Sequence, residues 1–361
     1  MRSLVPVLMF VSVALVHAAD AGNTYRDSVT GYEIVNLTSP SLKAGNLYNH
    51  FSNFTADNRY IIFAGTEEGK RFLFRYEVVS HKIVQLTQDE SISANTACPD
   101  PHEARRVYVT RGADVLALDV ETKELKKVGT VPGAIKGGLF QPTVNKDGSW
   151  ITTGKQVDEK TWEIGMIHAK TGEYRRVIQQ GFRIGHMQHS PVDPVIFYVW
   201  ETGGYAPQRT WLVNDDGTGN RPFYAPGAKS NMWWTPLKEW VTHEAWVANT
   251  GDMTMINDKL GIMLVKKDGS AKLVREGPYW HGAASPDGKY IALDDFEGRI
   301  WITEVATGNV HLLATGTHNI RMIHGHLSFD RKGRYIQFQS GRTHETVSVI
   351  DLQQVKGFFH E

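Results

Sequence analysis

The feature that most constrains this chain is an internal repeat. A turn rich in Asp, Asn, Gly or Pro is followed by a short β-rich run, a second turn and another β-rich run. Thr55-Ala56-Asp57-Asn58 leads into Tyr60-Ile61-Ile62-Phe63, and Asn145-Lys146-Asp147-Gly148 leads into Trp150-Ile151-Thr152-Thr153. Ser285-Pro286-Asp287-Gly288 leads into Tyr290-Ile291-Ala292-Leu293, and Asp330-Arg331-Lys332-Gly333 into Tyr335-Ile336-Gln337-Phe338. Seven such units are anchored at Asp57, Pro101, Asp147, Asp193, Gly251, Asp287 and Asp330, with steps of 44, 46, 46, 58, 36 and 43 residues. Spacing of about 40–50 residues per four-stranded unit is that of propeller blades. The expected fold is therefore all-β, a seven-bladed β-propeller. The segment Thr30–Thr38 reads like an outer strand, and pairing it with the last blade would close the ring and remove its open edges.

Composition fits this reading and narrows the function. The chain has 34 glycines, and 15 Phe, 13 Tyr and 10 Trp, the profile of a turn-rich β protein. Lys and Arg number 39, as do Asp and Glu, so the diffuse basic field of a nucleic-acid binder is missing. A single cysteine, Cys98, excludes an intrachain disulfide framework and a cysteine-based metal cluster. Residues 1–18 have the layout of a secretory leader: Arg2, an apolar run from Leu4 to Val16, and small residues at Ala18-Ala19. An exported protein, periplasmic or secreted, is expected, with residues 19–361 as one propeller domain and no membrane insertion. The Asp-Gly pairs lack the acidic ladder of calcium loops, and no Gly-x-Ser-x-Gly elbow supports a serine hydrolase.

Histidines carry the functional signal. His186, His243, His281, His324 and His326 lie shortly before the turn anchors of four successive units. A closed ring would bring them to one mouth of the central channel. On an extended strand, residues i and i+2 share a face, so His324 and His326 would point together as two imidazole ligands. Taken alone, such a pair is more often a water-bonded surface feature; four units in the same phase favour a joint site. His243 is a candidate proton-transfer group, and Glu244 beside it a residue that fixes a ring. Arg209, at the start of a clear strand, could hold a carboxylate in bidentate fashion.

These residues resemble the oligogalacturonate lyases, a pectin-degrading family of seven-bladed propellers. The specific segments are Ser190-Pro191 through Trp211-Leu212-Val213-Asn214, then Thr242-His243-Glu244 with Trp246, then His324-Gly325-His326. The resemblance implies β-elimination of short acidic oligosaccharides with a bound Mn²⁺. It places Arg209 and His243 in catalysis, His243 as the base, and His281, His324 and His326 on the metal. His186 is a candidate for substrate contact. Three departures stand out. The position of a further Gln ligand is Arg321, which has no acceptor to offer a cation and could instead meet a substrate carboxylate. Trp200 stands where the family usually carries a histidine, and Gly325 where it carries a proline. The competing readings are a non-catalytic, TolB-like propeller that binds protein or glycan, and a glycoside hydrolase built on Glu201, Glu244 or Asp294.

Overall fold

The computed structural model describes residues 22–133, 136–202, 206–225 and 240–357. The leader expected over residues 1–18 lies outside them. Among the described residues the strands gather into seven antiparallel sheets. Blade 1 begins with the inner strand Lys43–Asn46, blade 2 with Ser93–Pro99, and blade 3 with Lys136–Leu139 and Thr143–Val144. Blades 4, 5 and 6 begin with Ile184–His189, Val241–Trp246 and Tyr279–Ala284. Blade 7 starts at Ser328–Phe329 and continues through Tyr335–Ser340 and Thr346–Asp351.

The expected closure is present. Glu33–Asn36 pairs antiparallel with Thr346–Asp351, with Ile34 opposite Ile350, and Thr24–Arg26 adds a fifth strand outside it. The long step between the fourth and fifth anchors falls in the connection between Arg221–Pro222 and Val241–Trp246.

The ring has no single core. Seven apolar clusters each lie between two successive blades, the one between blades 7 and 1 included. Strand alternation explains this. Along Tyr290–Asp295, Ile291 and Leu293 enter the cluster shared with blade 5, while Ala292 enters the one shared with blade 7. Period-2 side chains thus feed two cores from one strand. Burying one aliphatic or aromatic side chain contributes roughly 1.5–3 kcal/mol, so each joint is held by several such terms.

The inner strands are irregular at one end. In blade 4 the register jumps between Gly185 and Gln188, so His186 and Met187 face one residue of the next strand. In blade 5 it jumps between Thr242 and Ala245, across His243 and Glu244, and in blade 6 between Tyr279 and His281. These are β-bulges, which bend a strand and re-aim its side chains. His186 (φ 45°) and His243 (φ 52°) occupy the left-handed position that glycine takes in one common bulge type. Histidine enters this region more readily than most residues, though at some cost.

Candidate functional site

The bulges set their histidines at the same end of neighbouring inner strands. His243 and His281 have ring centroids 4.1 Å apart, His281 and His326 4.7 Å, and His281 and His324 5.3 Å. His186 stacks 6.5 Å from His243. All five expected histidines therefore meet in one cluster.

One part of the expectation is corrected. His324 and His326 do not lie on a strand: residues 321–327 precede Ser328–Phe329 as irregular chain, and His326 is left-handed (φ 41°). Their convergence comes from a loop held by named donors. Asn46 Nδ2 donates to the carbonyls of Gly325 (2.9 Å) and His326 (2.7 Å), and Gln339 N–H donates to Gly325 O at 2.8 Å. The two rings end up 5.3 Å apart, without the strand geometry that the spacing suggested.

Nitrogens of His243, His281 and His324 lie within 4.8 Å of one another. His281 Nδ1 contacts both oxygens of Asp294 at 2.9 and 2.8 Å, which leaves Nε2 facing His324 Nδ1 at 3.3 Å. Two nitrogens sharing a cation at bonds of about 2.0–2.1 Å sit about 3.0–3.4 Å apart, so this pair fits a divalent metal. Protonation agrees. Burial, reinforced by neighbouring histidines, holds His281 and His326 well below the ordinary imidazole range and His243 at about 2. Burial also lowers His324. Neutral rings are what metal ligation needs. His243 Nδ1 is buried without a hydrogen-bond partner among the described residues.

Beside the cluster lies a charged group. Glu244 is fully buried. It accepts from Arg209 Nε at 3.1 Å and from His186 Nδ1 at 2.6 Å. Against the penalty of burial, Arg209 and His186 drive its pKa far below the usual carboxylate range. Glu244 thus fixes a ring, but the ring is that of His186 rather than His243. Arg209 is 5% exposed; its Nη2 reaches Glu201 at 3.5 Å, and its Nη1 is buried with no partner among the described residues. Glu201 and Glu244 thus both contact Arg209, and Asp294 contacts His281.

Arg321 is not joined to the histidines by any contact among the described residues. Its side chain is mostly exposed and pairs with Glu345 at 3.0 Å. Trp200 stacks on Phe182, with centroids 4.7 Å apart.

Sequence reading missed Tyr48 and His50. Tyr48 packs against His50, His186 and His326 at 4.4, 5.5 and 4.6 Å, and its hydroxyl lies 3.3 Å from His186 Nε2. The same Nε2 also faces Glu201 Oε2 at 3.6 Å. Burial raises the Tyr48 pKa and drops that of His50 well below its ordinary value. The signal was there: His50 stands seven residues before Asp57, as His186 stands seven before Asp193. A cleft of about 680 Å³, lined in part by His50, Gln141, Arg183 and His186, opens onto the cluster beside blades 3 and 4.

Comparison with known proteins agrees with this architecture. A profile of the oligogalacturonate lyase family matches residues 18–164. An oligogalacturonate lyase of Dickeya dadantii is 23% identical over 265 residues, 65% of this chain; the match spans 63% of that enzyme. An oligogalacturonide lyase of Pectobacterium atrosepticum is 21% identical over 88% of this chain and 92% of its own length. The solved structure of an oligogalacturonate lyase in complex with manganese superposes with a TM-score of 0.80 at 19% identity, covering 93% of this chain and 97% of that one. The chain resembles this family and shares its seven-bladed fold.

Proposed function

We propose that this protein is an exported carbon–oxygen lyase that cleaves uronic-acid oligosaccharides of the oligogalacturonate type by β-elimination. One observation carries the reading: a buried guanidinium with an unpartnered Nη1 sits beside a cluster of neutral histidines. A carboxylate-bearing sugar fits such a site, since a dry guanidinium binds an anion and a neutral imidazole accepts a proton.

In this reading His281, His324 and His326 hold a divalent cation, with Mn²⁺ the one suggested by the manganese-bound relative. When bound, the cation adds positive charge to neutralise the substrate carboxylate. Arg209 offers Nη1 to the same carboxylate, held in place by Glu244 and Glu201. Neutralisation makes the proton on the adjacent carbon removable. His243 takes that proton; the electron pair of the broken C–H bond becomes the new C=C double bond as the bond to the departing glycosidic oxygen breaks, and that oxygen takes a proton from solvent water. In the free protein burial keeps His243 unprotonated, and an anion beside it raises its basicity. His186, oriented by Glu244, and Tyr48 contact the sugar on the other side. Arg321 stays at the rim and reaches substrate only by giving up Glu345.

The geometry favours one alternative for a single residue. His243, rather than His326, joins His281 and His324 in a set of nitrogens all within 4.8 Å of one another. Mn²⁺ titration of His243→Ala and His326→Ala separates the two: loss of metal in the first and not the second makes His243 a ligand. The function itself is tested by digesting acidic oligosaccharides with and without chelator. Unsaturated uronate products absorbing in the near-ultraviolet are expected; saturated products alone would refute elimination.

A further inference from the structure

Asp294 has no part in the chemistry above, yet it contacts both His281 and the peptide between His324 and His326. It is fully buried on Tyr290–Asp295, directly opposite His281 in the blade 6 register. Four donor contacts converge on its two oxygens. His281 N–H donates to Oδ1 at 2.6 Å, and His281 Nδ1 lies 2.9 and 2.8 Å from Oδ1 and Oδ2. Gly325 N–H, from the loop before blade 7, donates to Oδ2 at 3.0 Å. A carboxylate in this place dictates which ring nitrogen of a ligating histidine is left free.

The glycine is required by the contact. A Cβ at residue 325 would fall 2.2 Å from Asp294 Oδ2. A proline would in addition lack the N–H that Asp294 accepts. Position 325 lies between His324 and His326, so fixing its peptide fixes where both rings emanate.

We infer that Asp294 is the positioning residue of the histidine centre. It holds His281 as the Nδ1–H tautomer with Nε2 free, and through the Gly325 peptide it sets the turn carrying His324 and His326. One carboxylate therefore aligns ligands from two blades, in a chain where Arg321 supplies no further one. The inference rests on the metal reading proposed above.

Two measurements on the full chain test it. Ring ¹⁵N spectra of the chelated protein are expected to show His281 protonated on Nδ1; protonation on Nε2 would overturn the inference. Calorimetric titration with Mn²⁺ is expected to show binding weakened about 10–100-fold in Asp294→Asn and in Gly325→Ala. The metal-free melting temperature of at least one variant is expected to stay near that of the wild type, since neither change opens an apolar joint. Affinity within twofold of wild type in a folded variant overturns the inference. So does a loss of affinity matched in both variants by an equal loss of metal-free stability, the signature of a merely structural residue. A wild type that binds no Mn²⁺ breaks the metal reading instead, and the tautomer result tells that failure from the first.

Discussion

The two ends of the inner strands solve one geometric problem with different residues. At one end, each blade turns into its second strand, and in five of the seven a left-handed residue makes the turn: Asn58, Gly148, Gly251, Gly288 or Gly333. Side chains complete these turns: Ser285 donates to Asp287 and accepts from Tyr290 N–H, as Thr55 does with Asp57 and Tyr60. At the other end the left-handed residues are His186, His243 and His326, with glycine there in blade 3, at Gly137 and Gly138. Glycine enters that conformation freely, whereas a side chain with Cβ is strained there by about 1–3 kcal/mol. The turn end is thus built for folding. The bulge end gives up stability to aim imidazoles at one another.

Perturbing the two ends should therefore have opposite signatures. The largest effect belongs to His243→Ala, expected to lower turnover about 10²–10⁴-fold with the melting temperature nearly unchanged. Steady-state assay alongside a thermal melt checks both halves; retained turnover would remove His243 from proton transfer. Arg209→Ala should instead unfold the bulge end, because Glu244 loses its guanidinium in a buried setting, at a cost of about 3–5 kcal/mol measured by denaturant titration.

Acid distinguishes the ends next. His50, His243, His281 and His326 have folded-state pKa values depressed by burial. The unfolded chain takes up protons at these residues near pH 6.5 while the folded one does not. Their stabilising contribution is therefore full above that pH and is lost as pH falls below it, by up to about 1.4 kcal/mol per group per unit. Asp294, raised to about 7 by burial, and Asp330, also raised by burial, work in the opposite sense, as two groups against four. Asp147 and Asp287 at the turn end are lowered, so their contribution is lost only at lower pH, through the carboxylate range. Melting temperatures should thus drop between pH 7 and 5; a flat profile would contradict the neutral-histidine picture.

A pair of backbone variants is subtler. Gly288→Ala should cost about 1–2 kcal/mol and leave activity alone, whereas His326→Gly should relieve strain while weakening Mn²⁺ binding. Smallest of all is Arg321→Ala. Its pairing with Glu345 is exposed, so stability should shift by less than about 1 kcal/mol. A large rise in KM would restore Arg321 to the substrate.

The blade count and the closing strand were legible because alternation and turn chemistry are local. Asp287-Gly288 announces a turn whatever surrounds it, and Thr30–Thr38 reads as a strand on its own pattern. The phase of His186, His243 and His281 was equally readable. What failed was the inference from His-x-His to a strand, since the loop over residues 321–327 is held by Asn46 and Gln339 from far along the chain. The roles of Glu244 and Asp294 were hidden for the same reason. Neither the partnership of Glu244 with His186 and Arg209 nor the contact of Asp294 with Gly325 has any sequence spacing to reveal it.

The pairing of Ile34 with Ile350 has a consequence for timing. The histidines proposed to hold the cation come from blade 6 and the loop into blade 7, and blade 7 takes Glu33–Asn36 from near the start of the chain. Long-range closure of this kind is slow and comes at large entropic cost. A chain that has not yet joined its two ends has not completed the blade against which His324 and His326 are set. The centre is assembled by the same event that seals the ring, so metal uptake would report, molecule by molecule, that folding is finished.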